Sequence, residues 1–394
     1  MRLVHLADLH LGFRQYQRLT PGGINQREAD VARTFELAID RVIELGPELV
    51  VVAGDVFHTV RPSNPAILHA FNQFARLTHA LPKTRVVMIA GNHDMPRSAE
   101  TGCILQLFSR LGIDVVDREP RRITIPEYDL SVFAVPDLLG MRPRFDIDPA
   151  WKHNVLLLHA EIEGVLPMNG ATPERVAMTI PVKELGASQW SYVALGHYHV
   201  CRQIEPNAYY SGATDYTTTN TWGELNEQRV GGIDGKGFIE WHFESQTALF
   251  RPLPPSRLFV DLPPISADGL SVTELDAQIQ QHVESFPSGI DDRVVRLKLH
   301  DTPRHLAREL DHRAIREYKR RALNFFLDVR PPESVRRSAS GSAGRRQTLD
   351  EILHESLSTR PLPADVDRGR LIALSASYLS RADVVETTAA LSEA

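Results

Sequence analysis

Leu49-Val50-Val51-Val52-Ala53-Gly54-Asp55-Val56-Phe57-His58 joins an apolar, β-branched run to an abrupt Gly-Asp turn. Such a run, with no polar alternation, reads as a strand buried on both faces, and the turn sets a carboxylate at its carboxyl end. The same design recurs four times. Residues 3–7 lead to Asp8-Leu9-His10, residues 85–90 to Gly91-Asn92-His93-Asp94, residues 155–158 to His159, and residues 192–195 to Gly196-His197-Tyr198-His199. In layered α/β proteins the carboxyl ends of strands line the active-site crevice, so the five segments are expected to meet.

Gathered there, Asp8, His10, Asp55, Asn92, His159, His197 and His199 form a set of candidate metal ligands too large for one four-coordinate ion. Two ions are the natural count. The donors are imidazole nitrogen with carboxylate and amide oxygen, without thiolate, which suits Mn, Fe or Zn, with Mn the first choice. Two divalent ions roughly 3.5–4 Å apart polarise a phosphoryl oxygen, acidify water and stabilise both oxygens of an in-line displacement, so phosphoester hydrolysis is expected. Asp55, central in the motif order and on a tight turn, is the expected bridge, and Asp8 and His10 would flank one ion. His93 follows a candidate ligand directly. A non-ligand imidazole there can stabilise the phosphorane or protonate the leaving alkoxide, with Asp94 orienting it. His58, three residues after Asp55, is a second non-ligand candidate, although a loop histidine bonded to backbone is the plainer reading. A lone Asp-x-His or Gly-Asp usually marks a turn or a cap. Five such segments in fixed order at strand ends call for a site. His5, His69, His79 and His153 lie outside the motifs and read as structural or surface residues.

These residues resemble the calcineurin-like metallophosphoesterases and, within them, the SbcD/MRE-type nucleases of DNA double-strand-break repair. The opening Met1-Arg2-Leu3-Val4-His5-Leu6-Ala7-Asp8-Leu9-His10-Leu11-Gly12 is similar to the start of that subgroup. More specific is Ala53-Gly54-Asp55-Val56-Phe57-His58-Thr59-Val60-Arg61-Pro62-Ser63, which extends the generic Gly-Asp motif. The similarity of motif and order extends over about the first 250 residues. It implies a Mn-dependent nuclease that degrades DNA ends, can cut near hairpins or blocked ends, and works with an SMC-like ATPase of SbcC type. The family's metal ligands carry over onto Asp8, His10, Asp55, Asn92, His159, His197 and His199, and its phosphate-facing histidines onto His58 and His93. One stretch departs from the pattern. Family members pass from a Pro-Gly-Ser segment soon into Lys-Gly-Phe, whereas here Tyr209-Tyr210-Ser211-Gly212-Ala213-Thr214-Asp215 is followed by a long insert, residues 215–235, before Lys236-Gly237-Phe238.

At 394 residues the chain can bury a large core and carry appendages, and its 42% hydrophobic and 24% charged content is that of an ordinary soluble protein. No apolar run approaches a membrane span, and the N-terminus enters a strand pattern at once without a signal-peptide pattern. With only Cys103 and Cys201, a disulfide framework is not expected, and a reducing cytoplasm, in contact with the nucleoid, fits. The net charge of −6 conceals a gradient, because residues 293–346 hold 15 Lys and Arg against 6 Asp and Glu. That segment could contact phosphates nonspecifically or simply be a solvated helix face.

The predicted fold class is α/β (α+β): a four-layer metallophosphoesterase sandwich, with two central sheets flanked by helices, over residues 1–252. Within it, residues 26–45 read as an amphipathic helix, and 64–81 and 101–111 as helices with many large apolar side chains. In the resembling family the latter pair across a two-fold axis, which implies a homodimer; core packing explains their apolar faces equally well. Pro252, Pro254 and Pro255 mark a boundary. Residues 253–330 should form a β-α-β capping domain that contacts DNA, ending in one or two basic helices over 304–326. Residues 331–347 have the composition of a flexible linker, and 348–394 carry two short apolar patterns, Leu349-Ile352-Leu353-Leu357 and Leu371-Ile372-Leu374-Tyr378-Leu379. These either dock in a partner groove, which the resemblance implies is the ATPase's, or pack back on the parent domain; the partner is the expectation. The competing readings are a phosphoesterase acting on small nucleotides or phosphoproteins, and a protein that mainly tethers DNA ends. All share the metal residues; residues 255–394 separate the nuclease from the small-substrate phosphoesterase, which has little need for a basic cap and a tethered helical tail.

Overall fold

The computed structural model describes residues 1–96, 102–138, 143–164, 178–231, 233, 235–332, 349–359, 367–375 and 377–378. The chain forms two compact units, Met1–Pro332 and Glu333–Ala394.

The first unit is built on two six-stranded mixed sheets. In the first, Arg2–Leu6, Leu49–Ala53, Arg85–Ile89 and Asp114–Val116 run parallel, and Lys236–His242 and Thr247–Leu253 add an antiparallel hairpin beside Arg2–Leu6. In the second, Leu130–Val135, His153–His159, Tyr192–Gly196 and Ala208–Tyr210 are parallel, edged by antiparallel Arg121–Ile125 and Arg202–Glu205. Period-two alternation divides each apolar run between two cores. Val4, Leu6, Val50 and Val52 face helices Gln26–Leu45 and Asn64–Ala80 and pack with Phe35 and Phe74. Leu3, Val51 and Val87 point the other way, against Val155, Leu157, Tyr192 and Trp241 between the sheets. Leu156, Leu158, Val193 and Leu195 fill a further core on the outer face of the second sheet. This is the layering expected from the runs, with one difference. Among the described residues, the outer core over the second sheet is covered by the two-stranded sheet Glu161–Ile162 and Thr179–Ile180, the four-residue helix Val182–Leu185, a short 3-10 turn at Ala187–Gln189 and loops.

Helix boundaries follow local chemistry. Asn25 caps Gln26–Leu45 by accepting the N–H groups of Arg27 and Glu28, and Gly46 ends it in the left-handed conformation. Ser63 caps Asn64–Ala80, with Pro65 in its first turn. The expected helix at 101–111 is instead a 3-10 helix over Ile104–Leu111. Only part of its apolar set is buried, with Leu105 and Phe108 inward and Leu107 36% exposed.

A third, four-stranded sheet follows the prolines. Phe259–Asp261, Ile265–Ser266 and Asn324–Val329 all pair in parallel with Val294–His300, and helix Val272–Glu284 covers them with Leu275, Ile279 and Val283. Its core is its own. The expectation of basic helices through residue 326 needs correction: Arg304–Glu309 and His312–Arg321 are helical, but Asn324–Val329 is a strand. Phe325 is buried and Phe326 is 46% exposed, an alternation that belongs to a sheet and that the preceding run of cations obscured.

The third sheet joins the rest of the unit through buried charge. Arg27, fully buried, donates to Asp215 at 2.8 Å, to the Tyr216 carbonyl at 2.8 Å and to Asp30 at 3.1 Å, and its guanidinium lies 5.0 Å from the Phe259 ring centre. Arg257 completes the set on Asp30 at 2.5 and 2.9 Å. Removing one member of such a set strands the others in low dielectric, at a cost of about 3–5 kcal/mol.

In the second unit Leu349–Thr359 is helical, and a further helical stretch runs over residues 368–375. Asp367 starts it, its carboxylate accepting the Arg370 N–H at 2.8 Å. Leu374 is 54% and Tyr378 63% exposed. Of the expected linker at 331–347, residues 333–347 lie outside the described residues, as does Leu379. No helix among the described residues is long and apolar enough to cross a membrane.

Candidate metal centre

The two sheets meet at their carboxyl ends. His159, last residue of its strand, donates Nδ1–H to the Ala53 carbonyl at 2.8 Å. A carbonyl can only accept, so the proton is on Nδ1 and the Nε2 lone pair faces the crevice. That approach leaves no room for side chains nearby. A Cβ on Gly196 would fall 1.8 Å from the Ala53 oxygen, and one on Gly54 would fall 2.4 Å from His159 Nδ1. Beside these glycines the backbone is bent sharply: Asp8 has φ 51°, His10 44°, Asp55 51° and His197 102°. Such conformations are uncommon for residues with a side chain and concentrate at functional sites. Here they turn side chains off the strand ends. Asp8 N–H bonds the Gly54 carbonyl at 3.1 Å and His10 N–H the Asp55 carbonyl at 2.9 Å, locking the first two segments together.

The expected residues converge. Asp55 Oδ2 lies 3.6 Å from His10 Nε2 and 3.5 Å from His159 Nε2, between imidazoles contributed by different sheets. Its other oxygen accepts the His93 N–H at 2.8 Å. His10 Nε2 and His199 Nε2 are 3.0 Å apart, and Asn92 Oδ1 is 2.9 Å from His159 Nε2. Asp8 accepts the His197 N–H at 3.0 and 3.2 Å. Two groups, Asp8 with His10 and His199, and Asp8 with Asp55 and His159, each place one ligand atom per residue within 4.8 Å of one another. His10, His58 and His93 form a third such group. His197 is outside all three, its ring centre 5.5 Å from that of His159. Converging nitrogen and carboxylate donors, almost fully buried and free of thiolate, fit the pair of divalent cations expected from the sequence.

His93 and Asp94 are arranged differently from expectation. His93 Nδ1 donates to the His58 carbonyl at 2.7 Å, which leaves Nε2 for chemistry. Asp94 is instead spent on backbone, accepting N–H groups of Val56 at 3.1 Å, Phe57 at 2.9 Å and Gly91 at 3.1 Å. It splices the Gly54-Asp55 turn to the Gly91-Asn92 turn. The His58 ring stacks on that of His93, centres 5.3 Å apart and 26° between planes, and its Nδ1 is 3.4 Å from His10 Nδ1. Outside the centre, His5 is buried between the sheets with Nδ1 3.0 Å from the Tyr192 hydroxyl, and His69 bonds the Ala32 carbonyl.

Sequence reasoning missed Glu224 and Lys236. Glu224, from helix Thr221–Gly231 in the insert, lies 3.4 Å from His199 Nδ1 and accepts from Lys236 at 2.5 Å. Apolar periodicity is weak in that helix, so its composition reads as loop. The available signal was a glutamate twelve residues ahead of a lysine held between glycines.

Burial and close charges set the proton affinities. Burial pushes Asp8 up to about 6 against the pull of His199 and His159. Burial and then Asp55 push Asp94 to about 7 despite its N–H donors. Burial would also raise Asp55, but His159, His93 and the His93 N–H together hold it below the usual carboxylate range. Burial lowers His197 to about 3 and His10 far below its usual range, so both imidazoles are neutral at pH 7. In His159 and His199, burial is outweighed by Asp55 and Asp8 for the former and by Glu224 and Asp8 for the latter, so both hold their protons above the usual value.

The chain belongs to the calcineurin-like phosphoesterases, whose family model matches residues 1–201. Its relatives point to one kind of protein within that class. It is 28% identical over 248 residues to the DNA double-strand break repair protein Mre11 of Methanocaldococcus jannaschii, covering 60% of this chain and 61% of that one. It is 31% identical over 209 residues to Mre11 of Sulfolobus acidocaldarius, covering 52% and 50%, and 25% identical over 362 residues to Mre11 of Methanosarcina mazei, covering 79% and 54%. The matches thus span between 50% and 61% of these relatives' lengths.

Asp8 and Asp94 bind their protons more tightly folded than unfolded, where carboxyls titrate near 3.9. The stability they lend the chelator-treated protein is present below about pH 4 and lost as pH rises to about 7. A cation needs the deprotonated ligands, so each proton it displaces weakens binding roughly tenfold per unit fall in pH. Manganese is therefore expected to raise the melting temperature far more at pH 8 than at pH 5.5, measured by scanning calorimetry. A manganese increment independent of pH would contradict these assignments.

Proposed function

We propose that the protein is a manganese-dependent nuclease that hydrolyses phosphodiester bonds at DNA ends in double-strand-break repair. The observation that carries the reading is Asp55 Oδ2 between the imidazoles of His10 and His159, beside Asp8 and Asn92, at the seam of the two sheets. Asp8, His10, Asp55, Asn92, His159, His197 and His199 would hold two divalent cations. Bound there, the cations supply charge to the phosphoryl oxygens and lower the pKa of water.

The chain's own contribution centres on His93. With Nδ1–H fixed on the His58 carbonyl, Nε2 is the nitrogen that carries the exchangeable proton. Water oxygen bonds to phosphorus and gives up one proton to solvent as the P–O bond to the leaving sugar breaks; the leaving oxygen takes its proton from His93 Nε2, and solvent returns a proton to that nitrogen. His58, stacked on His93, restricts that ring. Asp94 holds the turns that carry Asp55 and Asn92 in register.

Beyond the centre, the similarity to Mre11 proteins favours DNA over small phosphodiesters. Residues 253–330, with exposed Arg304, Arg308, Arg313, Arg316 and Lys319, would act as a cap that contacts phosphates. Exposed Leu68 and Leu107 would take part in a homodimer interface. The helices after residue 348, with exposed Leu374 and Tyr378, would dock on an SMC-like ATPase of SbcC type.

Cleavage of an end-labelled linear duplex with Mn, with Mg and with chelator tests the reaction. Mn-dependent release of nucleotides is expected, reduced about 100-fold or more in His93→Ala, with DNA binding retained. No duplex cleavage together with rapid hydrolysis of cyclic nucleotides would move the protein to the small-molecule phosphodiesterases. For the tail, Leu374→Asp with Tyr378→Asp is expected to abolish co-purification with the ATPase encoded in the same genome and to leave duplex cleavage unchanged. Retained co-purification would refute the docking role.

A further inference from the structure

The insert at residues 215–235 folds against the metal centre. Asn220 caps its helix through the Gly223 N–H at 3.1 Å, and Glu224, Glu227 and Gln228 then fall on one face, three and four residues apart. Each is engaged. Glu227 accepts the Tyr198 hydroxyl at 2.5 Å, and Gln228 accepts the Tyr216 hydroxyl at 2.8 Å while donating to the Gly235 carbonyl at 2.9 Å.

Glu224 reaches furthest in, at 3% exposure. Its Oε2 accepts from Lys236 Nζ at 2.5 Å, and the same ammonium donates to the His199 carbonyl at 2.6 Å. Its Oε1 faces His199 Nδ1 at 3.4 Å. Both of these atoms are buried without a hydrogen bond, and the 3.4 Å approach pairs each with its one complement, a ring nitrogen facing a carboxylate oxygen. His199 is therefore gripped twice, by Glu224 on its ring and by Lys236 on its backbone. With Nδ1–H directed at a carboxylate, the ring must turn its Nε2 lone pair the other way, towards His10 Nε2 at 3.0 Å and Asp8.

We propose that Glu224 is a positioning residue for one of the two metal sites: it fixes the tautomer and the ring orientation of His199, and Lys236 anchors both. A ring nitrogen donating to a carboxylate is also a more basic ligand at its other nitrogen, and loss of such a partner weakens metal binding about 10–100-fold. The long insert thus serves the metal centre from behind. This inference rests on the two-metal reading above.

Manganese binding by the full chain, followed by titration calorimetry and by the electron paramagnetic resonance of free Mn, separates the two. The wild-type protein is expected to bind two ions. Glu224→Gln should weaken one of them 10–100-fold and leave the other unchanged, and cleavage should recover at high manganese, so that the metal requirement moves more than kcat. Glu227→Gln, on the same helix, should bind both ions as the wild type does. Because Glu224→Gln strands a buried ammonium, the double variant Glu224→Gln, Lys236→Met removes both charges and is expected to show the same loss at one site in a folded protein. Wild-type affinity at both sites in Glu224→Gln would overturn the inference, as would full recovery in the double variant, which would trace the loss to the stranded lysine. A wild-type chain that binds no manganese would instead overturn the two-metal reading itself.

Discussion

The Ala53 carbonyl accepts Nδ1–H of His159 at 2.8 Å, and the missing side chain of Gly196 is what lets the second sheet come close enough for that bond. The two sheets are separate strand ladders held by apolar packing, which is strong but tolerant of small sliding, and by a few further bonds such as His5 to Tyr192 and the His197 N–H to Asp8. The Ala53–His159 contact sets their relative position at the end where chemistry happens. It also fixes the His159 tautomer, aims Nε2 at Asp55, and so ties a ligand of one sheet to a ligand of the other. Strain at Asp8, His10, Asp55 and His197 is sustained by hydrogen bonds between the segments, two of which the Asp94 carboxylate accepts from the Val56 and Phe57 N–H groups.

Much of this was legible before any coordinates. Strand ends at Ala53, Leu6 and Gly196 were readable because buried parallel strands are continuous apolar runs and the polar residue that breaks each run is abrupt. The helix at Gln26–Leu45 was readable through its apolar period. What escaped reading was interaction at a distance in sequence. Glu224 pairs with His199 twenty-five residues earlier, and Arg27 with Asp215 far along the chain, and neither partner announces itself by spacing. Asn324–Val329 was lost for another reason: a basic helix runs almost directly into it, and two phenylalanines extend a helical pattern as readily as they begin a strand. Asp94 shows a third failure. Its adjacency to His93 invited a pairing, but consecutive residues at a turn point apart, and the carboxylate found backbone donors instead.

The centre concentrates groups that ordinary cores exclude. Asp8, Asp55, Asp94, His10 and His159 are each at most 1% exposed, and burial alone would neutralise the carboxylates. The outcome differs by partner: Asp55, with imidazoles on two sides, stays ionised, while Asp8 and Asp94 hold protons more tightly. A pair of divalent cations would remove that tension, since the same carboxylates would then face positive charge of fixed position. The buried Arg27 and Lys236 clusters satisfy their own charges internally and so frame the centre without competing for its ligands.

Crystals of the full chain soaked in manganese, with anomalous diffraction recorded at the manganese edge, test the central claim most directly. Two peaks roughly 3.5–4 Å apart, with Asp55 touching both and His199 Nε2 on the ion beside Asp8 and His10, is the result predicted. A single peak, or peaks away from the seam between the sheets, would contradict it.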